Sequence, residues 1–164
     1  MNDFQKDLYN SYIQLCEKPI EHTYYKVLWV DRDIFDPGEN LVYHHVFKDL
    51  KYSGFQGVSS VEQFKEILDD NLTNDNILVI SSGAFVKQVI EVIKKQKVRK
   101  VQKIIVFCRN KKYHEHLLEG EKDLVLSITN EFSDLTRKFN DLIKTIELQR
   151  DEEFRKSELN FFAN

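Results

Sequence analysis

Four short segments carry side chains able to do chemistry. Asp31-Arg32-Asp33 offers carboxylates for a cation or a proton. Ser81-Ser82-Gly83 offers hydroxyls on a tight turn, Cys108-Arg109-Asn110 a thiol beside a cation, and Thr129-Asn130 a hydroxyl and an amide. Two histidine groups, His44-His45 and His114-Glu115-His116, complete the set. Serine and glycine ahead of a helix can cradle an anion on backbone N–H groups, and equally can cap the helix and turn the chain. On a helix, histidines at i and i+2 point about 200° apart and adjacent ones about 100° apart, so neither group chelates from one helix, and no metal is expected. No cofactor and no catalytic residue is expected either.

The elements that must hold these segments follow from hydrophobic spacing. Phe4, Leu8, Tyr12 and Leu15 make one stripe of a helix over about 3–17, with Pro19 as its stop. Tyr24-Tyr25-Lys26-Val27-Leu28-Trp29-Val30 reads as a strand buried on both faces that ends at Asp31. After the Asp36-Pro37-Gly38 turn, helical spacing returns with Val42, Val46, Phe47 and Leu50. Phe55 to Val58 is a short strand, its ends loosened by Gly54 and Gly57. Ser59 and Ser60, each three residues ahead of Glu62 or Gln63, then make a capping box in either register.

Val61, Phe64, Ile67 and Leu68 line the helix so started, and 71–76 is a polar break. Ile77-Leu78-Val79-Ile80 is the clearest buried strand, followed by a helix with Phe85, Val86, Val89, Ile90 and Ile93. Strand Ile104 to Phe107, a short helix near 112–119, and strand Leu124 to Ile128 follow. From Ser133 the chain is helical.

Strands and helices in alternation, with most strands apolar throughout, imply an α/β fold: a parallel sheet covered on both faces. Five strands point to a three-layer, flavodoxin-like sandwich with strand order 2-1-3-4-5. Ligands of such sheets sit beyond the carboxyl ends of the strands. The candidate crevice is therefore Asp31, Ser81, Ser82, Gly83, Cys108 and Asn130. The chain divides into an N-terminal helix (1–22), the α/β domain (23–146) and a charged helical extension (147–164).

The order of these segments resembles the receiver domain of two-component response regulators over about 24–146. Val27 to Asp31 is similar to the strand ending in the acidic pair that holds magnesium. Leu78-Val79-Ile80-Ser81-Ser82 is similar to the strand bearing the phosphoacceptor aspartate, and Thr129-Asn130-Glu131-Phe132 to the Thr-Lys-Pro-Phe turn. Each chemical position departs from that pattern. Ser82 stands for the aspartate, Arg32 for the second acid, Asn130 for the lysine, and Cys108 for the small hydroxyl residue. Phosphoryl capture needs an ionised carboxylate and a cation, and Arg32 would repel magnesium. The resemblance thus implies a receiver scaffold emptied of its chemistry.

A narrower likeness rests on Leu28-Trp29-Val30-Asp31, Val79 to Gly83, and Ile105 to Lys111 with His114-Glu115. It is to uncharacterised receiver-like modules beside TPR or ADP-ribosyltransferase regions of large eukaryotic proteins, and it implies an accessory domain. Cys108-Arg109 also resembles the start of the rhodanese Cys-Arg-x-Gly loop. Lys111 replaces its glycine, and a thiolate needs a cradle of N–H groups and positive charge. A half-buried structural cysteine is the expectation.

Among 164 residues, 24 Lys+Arg against 27 Asp+Glu give a net charge of −3, which excludes a dedicated nucleic-acid or membrane-surface binder. The basic stretch Lys94 to Lys103 lacks interleaved aromatics and reads as a solvated helix end. No apolar run approaches the roughly 20 residues of a membrane span, and two cysteines suit a reducing, cytoplasmic setting.

Phe132, Leu135, Phe139, Leu142 and Ile146 form a seam at heptad spacing. Beyond it Leu159, Phe161 and Phe162 make an apolar tip, expected to dock on the N-terminal helix or on a protein partner, a homodimer included. The expected function is a non-catalytic receiver-like domain working by protein–protein contact. The alternative is a small-molecule or nucleotide binder or enzyme using the crevice, with sulfur transfer through Cys108 as a weaker variant.

Overall fold

The computed structural model describes residues 1–16, 26–39, 41–45, 55–70 and 76–163. Pro19, Tyr24-Tyr25, Val46, Phe47, Leu50, Gly54 and the break at 71–75 lie outside the described residues, as do the side chains of Tyr12 and Leu15. The elements are helix α1 (Asp3–Cys16), strand β1 (Lys26–Val30), strand β2 (Phe55–Val58) and helix α2 (Val61–Asp69). Then come strand β3 (Ile77–Ser82), helix α3 (Val86–Lys95), strand β4 (Val101–Phe107), helix α4 (Lys111–Leu117), strand β5 (Val125–Thr129) and helix α5 (Phe132–Ala163). The strands form one parallel sheet in the order β2-β1-β3-β4-β5, the order expected of a flavodoxin-like α/β fold.

Alternation along the strands divides the core in two, because successive side chains point to opposite faces. Val27, Trp29, Leu78, Ile80 and Ile105 face α1, α5 and Tyr43. Leu28, Val30, Val79, Ile104 and Val106 face α2 and α3. Trp29 is fully buried, stacked on Phe132 at 6.3 Å and edge-on to Phe107 at 5.8 Å. Such ring pairs contribute about 0.5–1.5 kcal/mol each beyond their burial.

The seam of α5 lies on this face: Phe132, Leu135, Phe139 and Leu142 are buried and Ile146 packs against them. Helical residues 41–45 turn Tyr43 and His44 inward and leave Val42 exposed, so the inward face is not the one that Val42 spacing indicates.

The capping box settles on Ser60, whose Oγ accepts from Gln63 N–H at 3.1 Å and starts α2. α3 is different. Its N-cap is Phe85 without a side-chain bond, so neither Ser81 nor Ser82 caps it. The basic stretch closes chain ends: Lys100 Nζ donates to the carbonyls of Leu68 (2.6 Å) and Asp70 (3.0 Å) at the end of α2. Lys103 donates to Asp123 O, and Lys94 pairs with Glu121 at 2.6 Å. Among the described residues, no helix is long and apolar enough to cross a membrane.

Candidate functional site

The carboxyl ends of the strands gather all six expected residues at one end of the sheet, but most of them face inward. Asp31 is buried. Its N–H continues the β1–β2 ladder to Val58 O at 2.9 Å, and its Oδ1 accepts from Asp33 N–H at 2.9 Å. Burial pushes its carboxyl above the usual carboxylate range, against the smaller pull of that N–H. Arg32 turns outward to pair with Asp33 at 3.2 Å, with both side chains half exposed or more.

Ser81 is fully buried and its Oγ donates to Ser82 O at 3.0 Å. Ser82 Oγ is buried with no hydrogen-bond partner among the described residues. A buried hydroxyl left unpaired costs about 1–3 kcal/mol.

What roofs this end is a side chain that spacing did not single out for it. His114, on α4, lies over Gly83. A Cβ on Gly83 would stand 2.5 Å from His114 Nε2 and 3.0 Å from Cys108 Cβ, so a side chain there would have to displace the His114 ring. His114 Nδ1 is 2.9 Å from Asn110 O. That carbonyl can only accept, so Nδ1 is the donor of this hydrogen bond. His44 lies on Gly57 in the same way, 2.8 Å from where its Cβ would be. The signal in the sequence was a glycine at each strand end, without anything to say which ring each would receive.

Cys108 is half-buried beneath this roof, its N–H bonded to Thr129 O at 3.0 Å. Burial raises its thiol above the usual range. Glu115 raises it further and Lys111 opposes. A thiol held protonated is a poor nucleophile. Thr129 turns its hydroxyl to the Glu131 backbone, leaving Asn130 exposed.

The open space lies beside this closed end. A cleft of about 590 Å³ runs between the loop carrying Asp33, Asp36 and Glu39 and the β4 and β5 ends, where Phe107, Cys108, Arg109 and Asn130 line it. Of the six expected residues, it receives Cys108 and Asn130. A second recess of about 490 Å³ shares Glu39, Tyr43 and Asn130 with it and continues to Phe4 and Asp7 of α1. Among the described residues, no three His, Cys, Asp or Glu side chains come together as a metal-binding group.

Asp7 was invisible to spacing arguments. Its two carboxylate oxygens accept from the first N–H groups of α5, Phe132 at 2.9 Å and Ser133 at 2.8 Å, and Tyr43 Oη donates to it at 3.5 Å. A residue of α1 thus caps a helix that starts 125 positions later. Burial first, and then the Asp7 and Glu39 carboxylates, raise the Tyr43 phenol, so Tyr43 stays a neutral donor.

Sheet order and helix layers define the class as flavodoxin-like α/β. Comparison with family models, with curated proteins and with solved structures finds no match to the chain.

Proposed function

We propose that this chain is a non-catalytic, receiver-like domain that acts by binding other proteins. The observation carrying this reading is the closed end of β3. Where a receiver presents its phosphoacceptor carboxylate, Ser82 has a sealed hydroxyl, and His114 occupies the space over Gly83. Asp31 is the one carboxylate in a magnesium position, and it is buried against Asp33 N–H. A phosphoryl group would need an ionised nucleophile and a divalent cation at this point, and neither has an opening.

The test is a titration of the full chain with magnesium and beryllofluoride, followed by amide chemical shifts. No magnesium-dependent change at Asp31, Ser82 or Asn130 is expected. A saturable change there overturns the reading.

The cleft of about 590 Å³ favours a second reading, a small-molecule site with Arg109 and Asn130 as polar anchors. A thermal-shift screen with nucleotides and sugar phosphates separates the two. Ligand at 100 times its Kd adds about 2.7 kcal/mol of stability, and an unmoved melt removes the binder reading. Sulfur transfer through Cys108 is disfavoured by its raised thiol.

A further inference from the structure

Beyond Ile146, α5 leaves the body of the molecule, and every described residue from Leu148 onward is exposed. Leu148, Leu159 and Phe162 are 65%, 69% and 82% accessible, so the apolar tip does not fold back on α1. Over this stretch Leu148, Glu152, Arg155, Leu159 and Phe162 recur at steps of four, three, four and three, which puts them on one face of the helix. This face is not the continuation of the buried seam. Carried on from Ile146, that seam reads Gln149, Glu153, Lys156 and Asn160, all polar. The molecule thus changes seams where it leaves its own core, and the second seam has two leucines bracketing a Glu–Arg pair.

We infer that residues 147–163 are a self-complementary pairing surface, and that its occupant is the same helix of a second copy, running antiparallel. Charge decides the direction. Parallel, in-register pairing would set Glu152 against Glu152 and Arg155 against Arg155, like charges across a closing interface. An antiparallel pair with its two-fold axis midway between these residues sets Glu152 of each copy against Arg155 of the other. In the same register each Leu148 meets the other copy's Leu159. Every contact then occurs twice, as a two-fold interface requires. Among the described residues neither Glu152 nor Arg155 makes an ion pair within the chain, so both are available.

This deepens the protein-binding reading by naming the partner's chemistry, and it fails separately from that reading. Sedimentation equilibrium of the full chain across micromolar to millimolar concentrations is expected to give a concentration-dependent dimer. Arg155→Glu alone, or Glu152→Arg alone, is expected to weaken association at least tenfold. The doubly exchanged variant, Glu152→Arg with Arg155→Glu, is expected to restore it. All the changed positions are exposed, and the near-ultraviolet signal of buried Trp29 verifies that each variant keeps its core. A chain that stays monomeric throughout overturns the inference, as does association indifferent to the single reversals or an exchanged variant that fails to recover. A magnesium–beryllofluoride response bears on the non-catalytic reading alone.

Discussion

At the scale of single residues, the crevice is closed by contacts that residue type alone does not announce. Gly83 is the clearest instance. Its missing Cβ is the space in which the His114 ring lies. Gly83→Ala is therefore expected to destabilise by roughly 1–3 kcal/mol through overpacking. Combined with His114→Ala, most of that cost should vanish, because the methyl then has room. Urea unfolding of the wild type, both single variants and the double variant gives the coupling, and strictly additive costs would remove His114 as the cause.

Asp31 supplies a pH test. Burial raises its folded carboxyl above the ordinary 3.8, so the folded state holds the proton more tightly than the unfolded one. Stability from this group is therefore present in acid and is lost as pH rises through the raised folded value. Asp31→Asn keeps an oxygen for Asp33 N–H and carries no charge. It should be more stable than wild type at neutral pH, with the difference shrinking as pH falls toward 3.8. A pH-independent difference between the two would contradict a buried, charged Asp31.

At the scale of elements, most of the sheet was legible because parallel strands buried on both faces read as unbroken apolar runs. Ile77 to Ile80 needed nothing else. β4 was read three residues short, since Gln102 and Lys103 interrupt the run, although Val101 and Lys103 still pair with β3 on either side of a register shift at Gln102. The capping of α5 was not legible at all, because sequence windows carry no signal for a cap that arrives from α1. Asp7 satisfies two of the N–H groups that a helix start leaves open.

Asp7→Ala should cost about 1–2 kcal/mol, the range of a lost N-cap, and should loosen α1 from α5 together. Asp7→Asn, with one acceptor oxygen, should fall between. Denaturant unfolding gives the cost, and amide exchange at Phe132 and Ser133 locates it. An unchanged midpoint in Asp7→Ala would mean water replaces the carboxylate without loss.

At the scale of the whole molecule, stability must be distributed very unevenly, and the layers give its order. β3 lies between β1 and β4 with Leu78, Val79 and Ile80 nearly inaccessible, whereas β2 and β5 are edges and β5 exposes Leu126. α5 is one continuous helix with two environments. Its first four turns bury Phe132, Leu135, Phe139 and Leu142, and its remainder buries nothing of its own chain. A helix segment of 17 residues without a packed face is marginal in water, so it holds its hydrogen bonds weakly.

Hydrogen exchange at dilute, monomeric concentration should therefore rank β3 slowest, β2 and β5 faster, and 147–163 fastest, with the break in α5 near Ile146. Raising the concentration until two copies pair should slow exchange in 147–163 and leave the ranking of the strands unchanged. The two halves of α5 then differ in what covers them: the first packs on the chain's own sheet, and the second, on the pairing we propose, is covered only by another copy. Uniform protection along all of α5 in the dilute sample would show instead that the extension is stable alone, and the exposed leucines and phenylalanines would then need no second copy to account for the helix.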